Sequence, residues 1–546
     1  MVVCHLVLAL VAVLSCLTRA SPSPPPPPSF STPPVLSSNV SVSTPLGTAQ
    51  GILGADGANR FSVRYANATR WAPSTIVNEW ALPNGADDPA ALPLQCPQNG
   101  ASASTFAEDC LSMILYVPVD ITTGSNVPTL VWIHGGSFDS GSATFPGLDG
   151  SNLAIATDSI VAVIQYRLGA LGLLPPDGST NLAVQDTINA LAFLRQVVPS
   201  FGGDVARITL AGQSAGAGMI RALLATPSAS SLFSSAIMQS DPMDYGFTSL
   251  STQALLQSTF NDLVSCSASD TACQMALTLD EILTAQATVE DEAIGLDPSV
   301  ALGEPLHPVL DHTLITTPLD STEPFPQVSK PLLLTNVRNE SAPTIYTALP
   351  GPEPFPAEDF ELTCDLNLGP NRTAIVMASP FYPVDPNGDS RVPLEVLGTD
   401  YVWRCPTWTF ARNWVANGGV AHVGMFTVGA TYPANENISD CLVPGAVCHQ
   451  DDIFIVFGTT PNPTPPQSAL TTEIQARYKA FLASSDPNAQ GFDEWVPATT
   501  AEVNAKEFPG AIGVPGTAAG SAVPVLACDP SFWGEAVQYD YQFFDL

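Results

Sequence analysis

The chain has 546 residues and carries 17 Lys and Arg against 51 Asp and Glu, a formal net charge of −34 at pH 7. A surface this acidic repels phosphate backbones and anionic membranes, which excludes nucleic acid as a partner class. At 45% hydrophobic residues the sequence can bury a large core, and by length alone it would allow three or four domains of about 150 residues each.

Met1 to Ala20 reads as a secretory signal. Leu6 to Leu17 is apolar and Thr18-Arg19-Ala20 puts small residues at the cleavage side, although the start lacks Lys and Arg. The apolar run is too short for a comfortable membrane span, and no other stretch of about 20 apolar residues follows. The mature chain is therefore expected outside the cell, without stable membrane insertion and where disulfides persist. Eleven cysteines are present. Cys4 and Cys16 belong to the leader, and the rest are odd in number, so at least one thiol is free or pairs with another chain.

Residues 21–43 are Ser/Pro-rich, with Pro24 to Pro28 unbroken, and read as an extended tail. From Thr44 onward the composition is globular, and residues 44–546 are taken as one domain. Thr44 to Gly51 and Asn59 to Ala66 suggest a hairpin leading into an extended segment. Ser112 to Pro118, Pro128 to His134 and Ser159 to Gln165 read as strands, the last two nearly all apolar as for strands covered on both faces. Ala183 to Val198 has Val184, Ile188, Leu191, Leu194 and Val198 at helical spacing.

Ile208 to Ala211 is a further buried strand, and Gly212-Gln213-Ser214-Ala215-Gly216 after it fits G-x-S-x-G. A plausible helix, Ala217 to Ala225, follows. In a strand-turn-helix context the glycines let the turn be sharp enough to lift the Ser214 hydroxyl clear of the sheet, beside helix N–H groups that can meet an anion. Strands continue at Phe233 to Gln239, Lys330 to Thr335 and Ala421 to Val428, and a helix at Ser468 to Ser484. Residues 340–400, rich in Pro and acids, give no clear pattern. The alternation predicts an α/β fold with a large, mostly parallel sheet and helices on both faces.

A nucleophilic serine needs a base, an acid that orients the base, and donors for the oxyanion. Of six histidines, His307, His312, His422 and His449 follow Ser214 and fall outside the leader. His422 sits within a strand, where a core role is expected. His449 lies in the polar stretch Gly445 to Asp452, where an imidazole would be presented.

Phe201 to Gly216, Glu108-Asp109-Cys110-Leu111, Asn336 to Ser341, Val447 to Asp452 with Val456-Phe457-Gly458, Tyr166 to Gly169, Pro308 to Asp311 and Ala236 to Ser240 together resemble the type-B carboxylesterase/lipase family, the cholinesterase-like α/β-hydrolases. The resemblance runs from about Thr44 to Trp533, which argues against a multi-domain split. It implies an α/β-hydrolase fold, a catalytic triad of Ser214, Glu340 and His449, and an oxyanion hole from the N–H groups of Gly136, Ser137 and Ala215. It also implies disulfides Cys96–Cys110 and Cys266–Cys273. Cys441 and Cys448 form a further candidate pair that would staple the histidine loop, while Cys364, Cys405 and Cys528 have no assigned partner.

Three departures stand out. Ser137 occupies the place of a customary third glycine. Gln213 replaces a common Glu. The Cys96–Cys110 loop holds no Trp for cation–π capture of a cationic alcohol and is short for a lid. The resemblance implies a secreted serine carboxylesterase acting on small-molecule or lipid esters without metal or cofactor. A triacylglycerol or sterol-ester lipase is the alternative, and a non-catalytic binding protein on the same fold is the reading from another class. Sequons at Asn39, Asn67, Asn371 and Asn437 are candidate glycosylation sites; the one at Asn339 adjoins Glu340 and is set aside. Nothing in the sequence fixes the oligomeric state.

Overall fold

The computed structural model describes residues 39–508 and 526–534, apart from 55, 298, 301, 302, 321–323, 352 and 353. The leader and most of the Ser/Pro-rich tail lie outside the described residues. Among the described residues there are thirteen strands: β1 (Asn39–Thr44), β2 (Gly47–Leu53), β3 (Ala58–Arg64), β4 (Ala66–Asn67), β5 (Thr75–Ile76), β6 (Ser112–Pro118), β7 (Val127–Ile133), β8 (Ile160–Ile164), β9 (Gly203–Gln213), β10 (Ser235–Gln239), β11 (Pro331–Val337), β12 (Val420–Phe426) and β13 (Lys506–Phe508). β4 and β5 form a small ribbon. The other eleven make one sheet in the order β1-β2-β3-β6-β8-β7-β9-β10-β11-β12-β13. Pairing is antiparallel from β1 to β8 and parallel from β8 to β13.

The large, mostly parallel sheet with surrounding helices is the architecture that the alternation predicts. β8 is apolar along its whole length, and β7 nearly so, because each face meets a separate core. On β8, Ile160, Ala162 and Ile164 point into one core and Val161 and Val163 into the other. The first core is closed by helices α1 (Leu182–Val197), α2 (Ala215–Leu224) and, later in the chain, Cys405–Ala416. The second is closed by Ser151–Thr157, Ile453–Phe457 and Pro465–Ser484. With a two-residue side-chain period, a strand between two dry layers must be apolar at odd and even positions alike.

β1 begins at Asn39, so the sheet takes up residues 39–43, which composition alone assigns to the tail. Val40 and Val42 alternate with Ser41 and Ser43, and the strand is only half-buried. Its Ser and Thr content therefore looks like that of the segment before it. Residues 340–400 resolve into helices Ala342–Ala348, Ala357–Leu368, Pro370–Met377 and Arg391–Gly398, followed by a π-helical turn over Thr399–Arg404.

Among the described residues there are four disulfides: Cys96–Cys110, Cys266–Cys273, Cys441–Cys448 and Cys405–Cys528. Cys364 is the free, buried thiol among the described residues.

Candidate active site

The carboxyl ends of the parallel strands converge at the middle of the sheet, where α/β folds place ligands. β9 ends at Gln213 and α2 starts at Ala215, leaving Ser214 alone in the turn with φ 57° and ψ −129°. This conformation is costly for a side-chain-bearing residue and is held from three directions. Ser214 N–H donates to Gln239 O at 2.9 Å, and Ser214 O accepts from Ala217 N at 2.8 Å and Gly218 N at 3.0 Å. The flanking glycines are required by space. A Cβ on Gly212 would lie 2.8 Å from Gly216 C and 2.9 Å from Ile133 O, and one on Gly216 would collide with the Ile133 carbonyl.

Beyond β7 the chain runs through His134-Gly135-Gly136-Ser137 alongside Ser214; a Cβ on Gly135 would lie 2.6 Å from Gln213 O and 3.0 Å from Ser214 Cβ. Gly136, Ser137 and Phe138 all have positive φ (108°, 50° and 60°). His134 anchors the segment: its ring stacks on Tyr166 at 4.7 Å, and its carbonyl accepts from Tyr166 Oη at 2.9 Å. Burial holds the His134 imidazole down to about 4, so it is neutral. Among the described residues, the N–H groups of Gly136, Ser137 and Ala215 donate to no backbone carbonyl.

Glu340 follows β11 and is almost wholly buried. Its Oε1 accepts from Val337 N at 2.8 Å and its Oε2 meets His449 Nδ1 at 2.6 Å. The opposite ring nitrogen, Nε2, lies 3.1 Å from the side-chain nitrogen of Gln213, the residue before Ser214. The imidazole thus spans from the loop carrying Glu340 to the turn carrying Ser214. Its backbone carbonyl is held by Asn435 Nδ2 at 2.8 Å.

The acid and histidine loops are fastened to each other. Asn339 N donates to Val447 O and Val447 N to Asn339 Oδ1, both at 2.9 Å. The Cys441–Cys448 disulfide ends one residue before His449. Asn339 Nδ2 donates to Glu395. That commits the nitrogen a glycan would need, whereas Asn39, Asn67, Asn371 and Asn437 are exposed.

The remaining candidates separate by environment. His422 is buried on β12 against Trp495, and burial lowers it to about 4. His307 is buried with Nδ1 at 2.7 Å from Glu304 O, and His312 is exposed. The Cys96–Cys110 loop is pinned to Gly141: Gln98 Nε2 donates to Gly141 O and Gly141 N to Gln98 Oε1, both at 3.0 Å. Asp400, Cys405 and Cys528 cluster like metal ligands, but the two sulfurs are joined to each other.

Two features escape sequence reasoning. Trp403, in the π-helical turn, lies 5.6 Å from the His449 ring and walls one side of the site. Asp452 is fully buried behind Glu340 and accepts from Gln239 Nε2, whose Oε1 in turn accepts from Tyr478 Oη at 3.0 Å. Burial raises the Asp452 carboxyl to about 6, with the Glu340 charge adding to the rise. No local motif marks Trp403; Asp452 stands in the quoted histidine segment but carries no signal of its own.

A sequence profile described as the Carboxylesterase family matches residues 38–508. The chain belongs to the carboxylesterase family. It is 33% identical over 306 residues to the cAMP-regulated D2 protein of Dictyostelium discoideum, a match covering 55% of each chain. It is 42% identical over 139 residues to para-nitrobenzyl esterase of Bacillus subtilis (strain 168), covering 24% of this carboxylesterase-family chain and 28% of the relative. The match thus spans about half the length of the first of these relatives and less of the second. A solved PNB esterase superposes with a TM-score of 0.69 over 86% of this chain and 96% of its own, at 23% identity. The α/β-hydrolase fold of the resemblance is the fold observed.

Proposed function

We propose that the chain is a secreted serine carboxylesterase in which Ser214 is the nucleophile, His449 the general base and Glu340 the residue that orients it. The observation that carries this reading is the continuous line of contacts from Glu340 through both ring nitrogens of His449 to the residue beside Ser214. With Nδ1–H donated to Glu340, the Nε2 lone pair faces the nucleophile turn, where it can take the hydroxyl proton. Ser214 Oγ attacks the ester carbonyl, and the N–H groups of Gly136, Ser137 and Ala215 meet the oxyanion. The imidazolium returns its proton to the leaving alcohol, an acyl-enzyme remains, and water releases it by the same steps in reverse roles. The chemistry runs on side chains and backbone donors alone.

Secretion is supported by the leader-like Met1 to Ala20 and by the four disulfides. Soluble or dispersed esters suit the site because the Cys96–Cys110 loop is tied down at Gly141 rather than free to cover the turn. The test is Ser214→Ala assayed on a short-chain p-nitrophenyl ester. Turnover should fall on the order of 10⁶-fold, and near-normal hydrolysis by the variant would remove the assignment.

A further inference from the structure

His449 stands at the second position of a tight turn, Cys448 to Asp451, which is closed by Asp451 N donating to Cys448 O at 3.0 Å. The third position, Gln450, has φ 79°. Glycine or asparagine usually fills such a place, because a larger side chain crowds the backbone there. A turn that carries glutamine at this φ persists only where further bonds impose it.

The Asp451 carboxyl supplies those bonds. Asp451 is 2% exposed. Its Oδ2 accepts from Cys448 N at 2.8 Å, so the turn is closed a second time in the reverse direction. Its Oδ1 accepts from Tyr432 N and from Asn435 Nδ2, each at 2.8 Å. Ala430 N donates to Asp451 O, also at 2.8 Å. The turn is thereby moored to the segment that follows β12. Asn435 is buried, and its Nδ2 donates to His449 O as well, at 2.8 Å. One amide nitrogen thus links the Asp451 carboxyl to the backbone of the residue that bears the imidazole.

The other flank of the turn is held separately. Val447 is paired with Asn339 in both directions, and the Cys441–Cys448 disulfide ends at the first residue of the turn. Those contacts hold the chain up to Cys448, and the bonds of Asp451 hold the turn beyond it. The imidazole has little latitude, because Nδ1 must stay at Glu340 Oε2 while Nε2 faces the turn carrying Ser214. Without the carboxyl, the N–H groups of Cys448 and Tyr432, both buried residues, would lose their acceptor, and the turn could regain one only by moving.

We propose that Asp451 is a positioning residue for His449: through the Cys448 to Asp451 turn and through Asn435, its carboxyl places the imidazole between Glu340 and the turn carrying Ser214. The role holds only if His449 is the base of the proposed reaction.

The test follows phosphonylation of the full chain by a fluorophosphonate as a time course read by intact mass. Wild type, Asp451→Ala, Asp451→Asn and Asn435→Ala are compared, with kcat and KM on a short-chain p-nitrophenyl ester alongside. The amplitude counts chains with a folded site, and the rate constant reports how well each site works. A merely structural role would lower the amplitude and leave the rate constant alone. In Asp451→Ala the rate constant, and kcat per labelled chain, should fall on the order of 10²-fold with KM little changed. Asp451→Asn keeps one acceptor oxygen and should fall about tenfold. Asn435→Ala cuts the link to His449 O, leaves the Cys448 and Tyr432 bonds in place, and should also fall about tenfold. A wild-type rate constant in Asp451→Ala overturns the proposal. If Asp451→Ala does not fold, wild-type rate constants in Asp451→Asn and Asn435→Ala overturn it instead. A wild-type chain that takes no label on Ser214 removes the hydrolytic reading and this role with it, whereas a labelled wild type beside Asp451 variants of unchanged rate constant removes the role of Asp451 alone.

Discussion

Glu340 and His449 are separated by 109 residues and meet through a 2.6 Å contact between Oε2 and Nδ1. The second oxygen of Glu340 is fixed by the Val337 N–H, so the carboxylate cannot turn away. Glu340→Gln tests what this contact does. Its amide oxygen would stay on Val337 and its NH₂ would face Nδ1, which reverses the imidazole tautomer and puts the proton on Nε2 where the lone pair is needed. The loss expected is on the order of 10⁴ in kcat with KM little changed. Steady-state kinetics on folded variant, with folding verified by circular dichroism, check it; a loss below tenfold would contradict the orienting role.

Gly216 faces the Ile133 carbonyl at the end of β7, immediately before the loop bearing Gly136 and Ser137. Gly216→Ala should displace one or the other, costing about 1–3 kcal/mol of stability and lowering kcat more than the stability loss alone would. At Gly218, two residues on, a Cβ would approach no atom closer than Phe138 Cζ at 3.3 Å, so Gly218→Ala should be milder on both counts. Scanning calorimetry and kinetics on the pair decide it, and equal effects at the two positions would contradict the packing argument.

The turn carrying Ser214 is legible in the sequence because its requirements are local: an apolar strand, glycines where a Cβ has no room, and a helix. Strands β7 and β8 are legible for a related reason, since burial on both faces leaves continuous apolar runs. Residues 340–400 are not. In Ala357–Leu368 the buried side is only Phe360, Cys364 and Leu368, set among Glu358, Asp359, Glu361 and Asp365, so helical spacing is faint. Cys405 and Cys528, 123 residues apart, pair through tertiary structure that spacing does not encode. Trp403 reaches the site from a segment without any motif. Its position depends on where a π-helical turn comes to rest beside the His449 ring.

Stability should fall as pH rises from about 6.5 to 8.5. Burial raises Asp139 and Asp451 to about 7, Asp452 to about 6 and Glu304 to about 8. Across this window the folded chain keeps protons that the unfolded chain has already released near its ordinary carboxyl range, so the slope of unfolding free energy with pH is negative. Buried His134, His307 and His422, lowered to about 4, act in the opposite direction, but only between pH 4 and 6.5, above which they are neutral in both states. Tm measured by calorimetry across pH 6.5 to 8.5 should decline; a rising Tm would contradict the protonated state of these carboxyls.

Covalent labelling with a fluorophosphonate, read by intact mass and peptide mapping, tests the central claim most directly. A nucleophile activated by His449 and flanked by free N–H donors should take up one phosphonyl group per chain, on the peptide carrying Ser214, and Ser214→Ala should take up none. An unlabelled chain, or a label on any other serine, would contradict the account.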